Sequence, residues 1–191
     1  NSDAQVLRGK YAVEPFTVQP GWDGPYQGAD WGFATDPTAF IRCWIGGSDL
    51  YLEREAYGAG VEIDALPALF DAVHPQARQT VTRADNARPE TISYMQRHGY
   101  SRLIAAEKWP GSVEDGVAFL RSFGRIVIHP SCKHAAEEAR LWSYKTDRLT
   151  GDVLPSLVDA NNHVWDAVRY ALAPLIRKRN ATVTTLNVKG L

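Results

Sequence analysis

The sequence predicts one α/β domain built on a mixed sheet with helices on both faces, and three observations lead there. Three β-prone runs follow one another across short gaps: Asp30–Phe33, Ala39–Ile45 and Leu50–Tyr57. The apolar period then lengthens to that of a helix at Leu66, Leu69, Phe70 and Val73. Short apolar strands and helices alternate from there to the C-terminal region.

In order along the chain, residues 1–28 read as an irregular lead-in, interrupted by Pro15, Pro20, Gly21, Gly24 and Pro25, with a strand around Tyr11–Val18. Asp36-Pro37 and Gly46-Gly47-Ser48-Asp49 separate the three β runs, so an antiparallel meander is the simplest connection. Gln79–Ala84 is a strand, and Pro89 and Glu90 suit the first turn of a helix stopping at Gly99. Leu103–Ala106 is a strand. Ser112 and Asp115 have the spacing of a capping box, opening a helix with Val113, Val117 and Leu120 inward. Arg125–His129 is a further strand, and Ser131 caps a helix to about Tyr144. Thr146–Ser156 forms a hairpin around Thr150-Gly151-Asp152. The last helix spans about 162–177, with Trp165, Val168, Leu172 and Leu175 as its buried stripe. The expected domain is therefore 29–178, with a loose tail over 179–191.

Composition fits this reading. Of 191 residues, 45% are hydrophobic and 23% charged, as in ordinary globular domains. A chain of this length buries roughly 70% of its unfolded surface and needs no staples. Cys43 and Cys132 are isolated, which argues against a disulfide framework and a zinc site. No apolar run reaches the ~18 residues of a membrane span. The only methionine, Met95, lies mid-chain, so the expectation is a processed protein or an excised domain. No G-x-x-x-x-G-K-[ST] loop is present, which removes that route to ATP hydrolysis. The net charge of −1 lacks the basic excess of an autonomous DNA binder, so basic residues must be segregated or a partner must supply binding.

Three acids stand in unusual places. Asp30 lies in an apolar run, Asp85 ends a strand, and Asp166 occupies the first turns of the last helix. A buried carboxylate costs several kcal/mol unless compensated. A divalent cation compensates three together, and hard oxygens select Mg²⁺ or Mn²⁺. Alternatively each is satisfied alone: Asp30 by a turn, Asp85 as a cap, Asp166 by the helix dipole.

Five ordered strings extend the case: Gly28-Ala-Asp-Trp-Gly-Phe-Ala-Thr-Asp-Pro-Thr-Ala39, Ala84-Asp-Asn-Ala-Arg-Pro-Glu90, Gly111-Ser-Val-Glu-Asp-Gly116, Tyr144-Lys-Thr-Asp-Arg-Leu-Thr-Gly151 and Asn162-His-Val-Trp-Asp-Ala-Val-Arg-Tyr-Ala171. Together, from about Trp22 to Leu172, they resemble the nuclease domain of phage terminase large subunits. The resemblance implies a ribonuclease H-like fold and a metal-dependent endonuclease that cuts double-stranded DNA during genome packaging. It implies two ions, Mg²⁺ or Mn²⁺, with Asp30 bridging them and Asp85 and Asp166 each holding one. Asp36 matches an auxiliary acidic position. Implied partners are double-stranded DNA, the ATPase domain that precedes this domain in the family, the small terminase subunit and the portal protein. The implied setting is the host cell cytoplasm.

Other residues carry weaker signals. His163, three before Asp166, orients that acid or packs at the helix start, and Asn162 is placed to N-cap. His129 and His134 flank Cys132 without an orienting third group and read as structural. Trp31, Trp44, Trp109, Trp142 and Trp165 read as core. Arg83, Arg88, Lys108, Lys133, Arg140, Lys145 and Arg148 are candidates for phosphate contacts, with Lys145 and Arg148 in the expected hairpin. Arg177-Lys-Arg179 is a candidate partner contact. Two rival functions share the features: another nuclease of the same fold, such as a resolvase, and a catalytically silent module docking on portal or motor.

Overall fold

The computed structural model describes residues 2–189. A seven-stranded sheet forms from β1 (Tyr11–Val13), β2 (Asp23–Asp30), β3 (Pro37–Gly46), β4 (Asp49–Ala59), β5 (Thr82–Ala84), β6 (Leu103–Ala105) and β7 (Ile126–Ile128). Its spatial order is β1-β7-β4-β3-β2-β5-β6. The expected meander is β2-β3-β4, antiparallel throughout, while β5 and β6 on one side and β7 and β1 on the other add in parallel. A separate hairpin joins β8 (Tyr144–Thr146) to β9 (Val153–Leu157), as its turn residues predict.

Alternation along the long strands divides the core. Ala39, Ile41 and Cys43 face α3 (Ser112–Ser122), α4 (Lys133–Leu141) and α5 (His163–Lys189). Ala29, Phe40 and Ala56 face α1 (Leu66–Asp71) and α2 (Pro89–Arg97) on the opposite side. Helices thus cover both faces. Within α5, Val164, Trp165, Ala167, Val168, Ala171 and Leu172 are fully buried, making it the central helix of its layer. Among the described residues no helix is long and apolar enough to cross a membrane.

Several local expectations are corrected. The lead-in over 1–28 holds the expected strand in shortened form as β1, and it is less irregular than expected because it also supplies most of β2. Pro25 is tolerated there since the β2–β3 register shifts between Asp23 and Tyr26, as a bulge allows. β2 consequently ends at Asp30 instead of starting there. The tail over 179–191 is helical through Lys189, since no Pro or Gly interrupts residues 180–189; residues 190 and 191 lie outside the described residues. At α3 the capping box does not form. Asp115 instead accepts a hydrogen bond from Trp109 Nε1 at 2.8 Å, and Val113 is exposed.

Candidate metal centre

Two parallel strands and one helix assemble the acids. Ala29 of β2 pairs in register with Ala84 of β5, and the Asp85 amide donates to the Ala29 carbonyl at 3.0 Å. Asp30 and Asp85 therefore leave the sheet side by side at the carboxyl ends of adjacent strands. The third acid arrives on α5, which lies directly against β2. Gly28 makes that approach possible: a Cβ there would stand 1.9 Å from the Ala167 carbonyl oxygen. Gly28 and Asp30, two apart, share the face toward α5, so the helix contact brings Asp166 to Asp30.

The start of α5 is fixed from another helix. Glu138 of α4 is 4% exposed, and its carboxylate accepts the amides of His163 at 3.1 Å and Val164 at 2.6 Å. Those are donors that the first turn leaves unsatisfied. Asn162, expected to cap, instead donates its side-chain amide to Asp159 at 3.1 Å; its carbonyl accepts the Asp166 amide. Burial pushes the Glu138 carboxyl up to about 7, against the two amide hydrogen bonds that favour its charged form.

Each acid has a distinct environment. Asp30 is 8% exposed, and its pKa is pushed up to about 6, chiefly by burial and further by Asp166 and Asp85, against the hydrogen bond from His163. That contact is long, at 3.4 Å between His163 Nδ1 and Asp30 Oδ2. The same pairing raises the pKa of His163. Asp85 accepts from Lys108 Nζ at 2.6 Å and from the Ala87 amide at 3.0 Å. Burial raises the Asp166 carboxyl too, although Arg169 Nη2 donates to it at 2.8 Å. Tyr170, 7% exposed, has its hydroxyl pushed up by burial and by all three acids, which places it within their common field.

The predicted residues thus divide. Asp30, Asp85, Asp166 and His163 come together. Asp36 is exposed in the turn that follows β2, close enough for its charge to act on His163. Lys145 and Arg148 are exposed on the β8–β9 hairpin, away from these contacts, with Leu149 beside them 97% exposed. Lys108 was expected among phosphate contacts; it is instead the partner of Asp85. His134 pairs with Glu55 and His129 with Ser131, as structural residues do. The role of Arg169 was missed, though its i,i+3 spacing from Asp166 was legible. Glu138 left no sequence signal, being one acid on a mixed polar helix.

The donor set suits a divalent ion. Three carboxylates supply hard oxygens, and Asp30, buried and in the field of the other two, has only a long side-chain contact, to His163. As placed, Asp85 and Asp166 are turned to cations of the chain itself, and among the described residues no three acids, histidines or cysteines stand in ligating geometry.

Known proteins match this architecture. The model of the Terminase RNAseH like domain family matches residues 30–174. The chain is 33% identical over 165 residues to the terminase large subunit of Bacillus phage SPP1, covering 82% of this chain and 37% of that protein. It therefore spans little more than a third of that relative. The nuclease domain of the bacteriophage SPP1 large terminase, solved with bound Mn, has a TM-score of 0.77 and 29% identity, covering 87% of this chain and 97% of that one. The large terminase nuclease of thermophilic phage G20c shares the fold, with a TM-score of 0.61 and 15% identity over 89% of this chain and 98% of its own. On the family match, which covers well over half its length, this chain belongs to the terminase ribonuclease H-like domain family.

Proposed function

We propose that this domain is a divalent-metal-dependent endonuclease that hydrolyses phosphodiester bonds of double-stranded DNA during phage genome packaging. The observation that carries the reading is the meeting of Asp30, Asp85 and Asp166 at the ends of β2 and β5 and the start of α5. The SPP1 nuclease domain, solved with bound Mn, supports a divalent ion for this domain. Asp30, Asp85 and Asp166 would hold the divalent ions, Mg²⁺ or Mn²⁺ and two as the family resemblance implies, with Asp30 shared between them. When bound, such ions would supply the Lewis-acid chemistry of an in-line phosphodiester displacement, on the water and on the leaving oxygen.

The chain's own residues do the rest. His163 holds Asp30 in orientation and, being cationic when protonated, favours the ionised carboxylate. Asp36 adds negative charge that acts on His163. Glu138 fixes the first turn of α5, so Asp166 is presented from a rigid element. Trp31 donates to the Asp85 carbonyl at 3.1 Å and so helps to fix the backbone from which Asp85 projects. Lys145 and Arg148 take backbone phosphates, which fix position without reading sequence. The ATPase domain, small subunit and portal protein deliver the DNA in the host cytoplasm, which accounts for a DNA-cutting domain with a net charge of −1.

Plasmid nicking in Mn²⁺, Mg²⁺ and EDTA, with Asp85→Ala alongside, tests this reading. Cutting that requires metal and vanishes in the variant is expected. Cutting that survives Asp85→Ala overturns the assigned acids, and no cutting by either protein favours a docking module.

A further inference from the structure

Two cations reach the acid cluster over one aromatic ring. Lys108 Nζ lies 5.4 Å from the Tyr170 ring centre and Arg169 Cζ lies 5.5 Å from it. Both make short ion pairs, Lys108 to Asp85 at 2.6 Å and Arg169 to Asp166 at 2.8 Å. The Arg169 stem is accommodated by Gly116 of α3, where a Cβ would meet its Cδ at 2.6 Å. That gives the Gly111–Gly116 string a physical purpose. Arg169 Nε is buried with no partner among the described residues. Beside these groups lies a cavity of about 130 Å³, lined in part by Lys108, Trp109, Ser112, Arg169 and Tyr170.

We propose that Lys108 and Arg169 are exchange cations for the metal centre: they neutralise Asp85 and Asp166 when no divalent ion is held, and they give way when one binds. This inference rests on the metal-dependent reading above. A carboxylate oxygen facing an ammonium group at 2.6 Å cannot also face a second cation in the same direction, so the two occupancies compete. Without a cation of either kind, three carboxylates would crowd one buried place. The adjoining cavity gives the released side chains room while Tyr170 keeps both near the site. Lys108 and Arg169 are thus positioning residues that set metal affinity.

The test is Mn²⁺ titration by calorimetry without DNA, on the full chain and on Lys108→Ala, Lys108→Arg and Arg169→Gln, with melting temperatures in EDTA. Removing a partly exposed competitor should tighten Mn²⁺ binding by roughly threefold in Lys108→Ala while lowering its melting temperature in EDTA. Lys108→Arg, which keeps the charge, should restore both values. Arg169→Gln should act in the same sense; should circular dichroism show it unfolded, Lys108→Ala decides. Unchanged or weaker Mn²⁺ binding in Lys108→Ala, with normal binding by the parent chain, overturns this inference alone. A parent chain that takes up no Mn²⁺ overturns the metal reading with it.

Discussion

The Ala167 carbonyl sits against Gly28 so closely that a single methyl group on Gly28 would fall 1.9 Å from it. This contact joins the helix bearing Asp166 to the strand bearing Asp30. Gly28→Ala must therefore push α5 off the sheet, and backbone cannot yield as a side-chain tip can. A loss of about 3 kcal/mol or more of stability is expected, along with loss of Mn²⁺-dependent nicking. Urea unfolding and the plasmid assay check both parts. A variant of parental stability would show that the helix does not depend on this approach.

Metal removal gives a second expectation. An ion that binds only the folded state stabilises it by about 2.7 kcal/mol at one hundred times its dissociation constant. Mn²⁺ should therefore raise the melting temperature, and EDTA should reverse the rise. Asp30→Asn should abolish this response yet melt higher than the parent in EDTA, because Asp30 is 8% exposed and burial disfavours its charge. The two directions are opposite. If Asp30→Asn melts lower in EDTA, its carboxylate is already well compensated without an ion.

A pH dependence follows from Glu138. Its carboxyl is raised from an ordinary value of 4.5 to about 7, so the folded chain holds this proton more tightly than the unfolded chain. Stability from this source is present below about pH 4.5 and is lost as pH rises through about 7. The whole loss is about 3 kcal/mol by linkage. Urea unfolding between pH 5 and 8 should thus show a steeper decline in the parent than in Glu138→Gln. Asp30 titrates in the same direction, so the difference between the two proteins carries the prediction. Equal slopes would mean that the two amide bonds hold Glu138 ionised.

The sequence made much of this legible because it depended on local pattern. The meander over β2, β3 and β4 followed from turn residues between β-prone runs, and the α5 stripe from helical spacing at Trp165, Val168 and Leu172. Spacing alone left Asp30, Asp85 and Asp166 open to separate satisfaction; the ordered strings around them tipped the reading to a metal centre. What stayed hidden was non-local. Lys108 lies 23 residues from Asp85, and Glu138 lies 25 from the His163 amide it accepts. No period connects such pairs. The strand at β1 was legible, but its place in the sheet was not, because its pairing partner, β7, lies more than one hundred residues away. Gly28 and Gly116 were visible as glycines within regular elements, a sign of close approach that only the packed neighbours Ala167 and Arg169 explain.

The hairpin is the remaining open part of the proposed nuclease. Lys145 and Arg148 are exposed on β8 and its turn, where Asp147 accepts the amides of Leu149 at 2.8 Å and Thr150 at 2.9 Å. That turn keeps the loop in shape without involving either cation. Each phosphate contact made by a basic side chain contributes roughly 0.9 to the slope of log affinity against log salt. The double variant Lys145→Ala, Arg148→Ala should therefore flatten that slope by about 2 and weaken binding equally on unrelated duplexes. Its Mn²⁺ affinity should be unchanged, because neither residue contacts the acids. Fluorescence anisotropy over a salt series, with Ca²⁺ in place of Mn²⁺, reads the slope. A slope equal to the parent's would remove the hairpin from the DNA path and leave phosphate binding to the other face of the domain or to a partner.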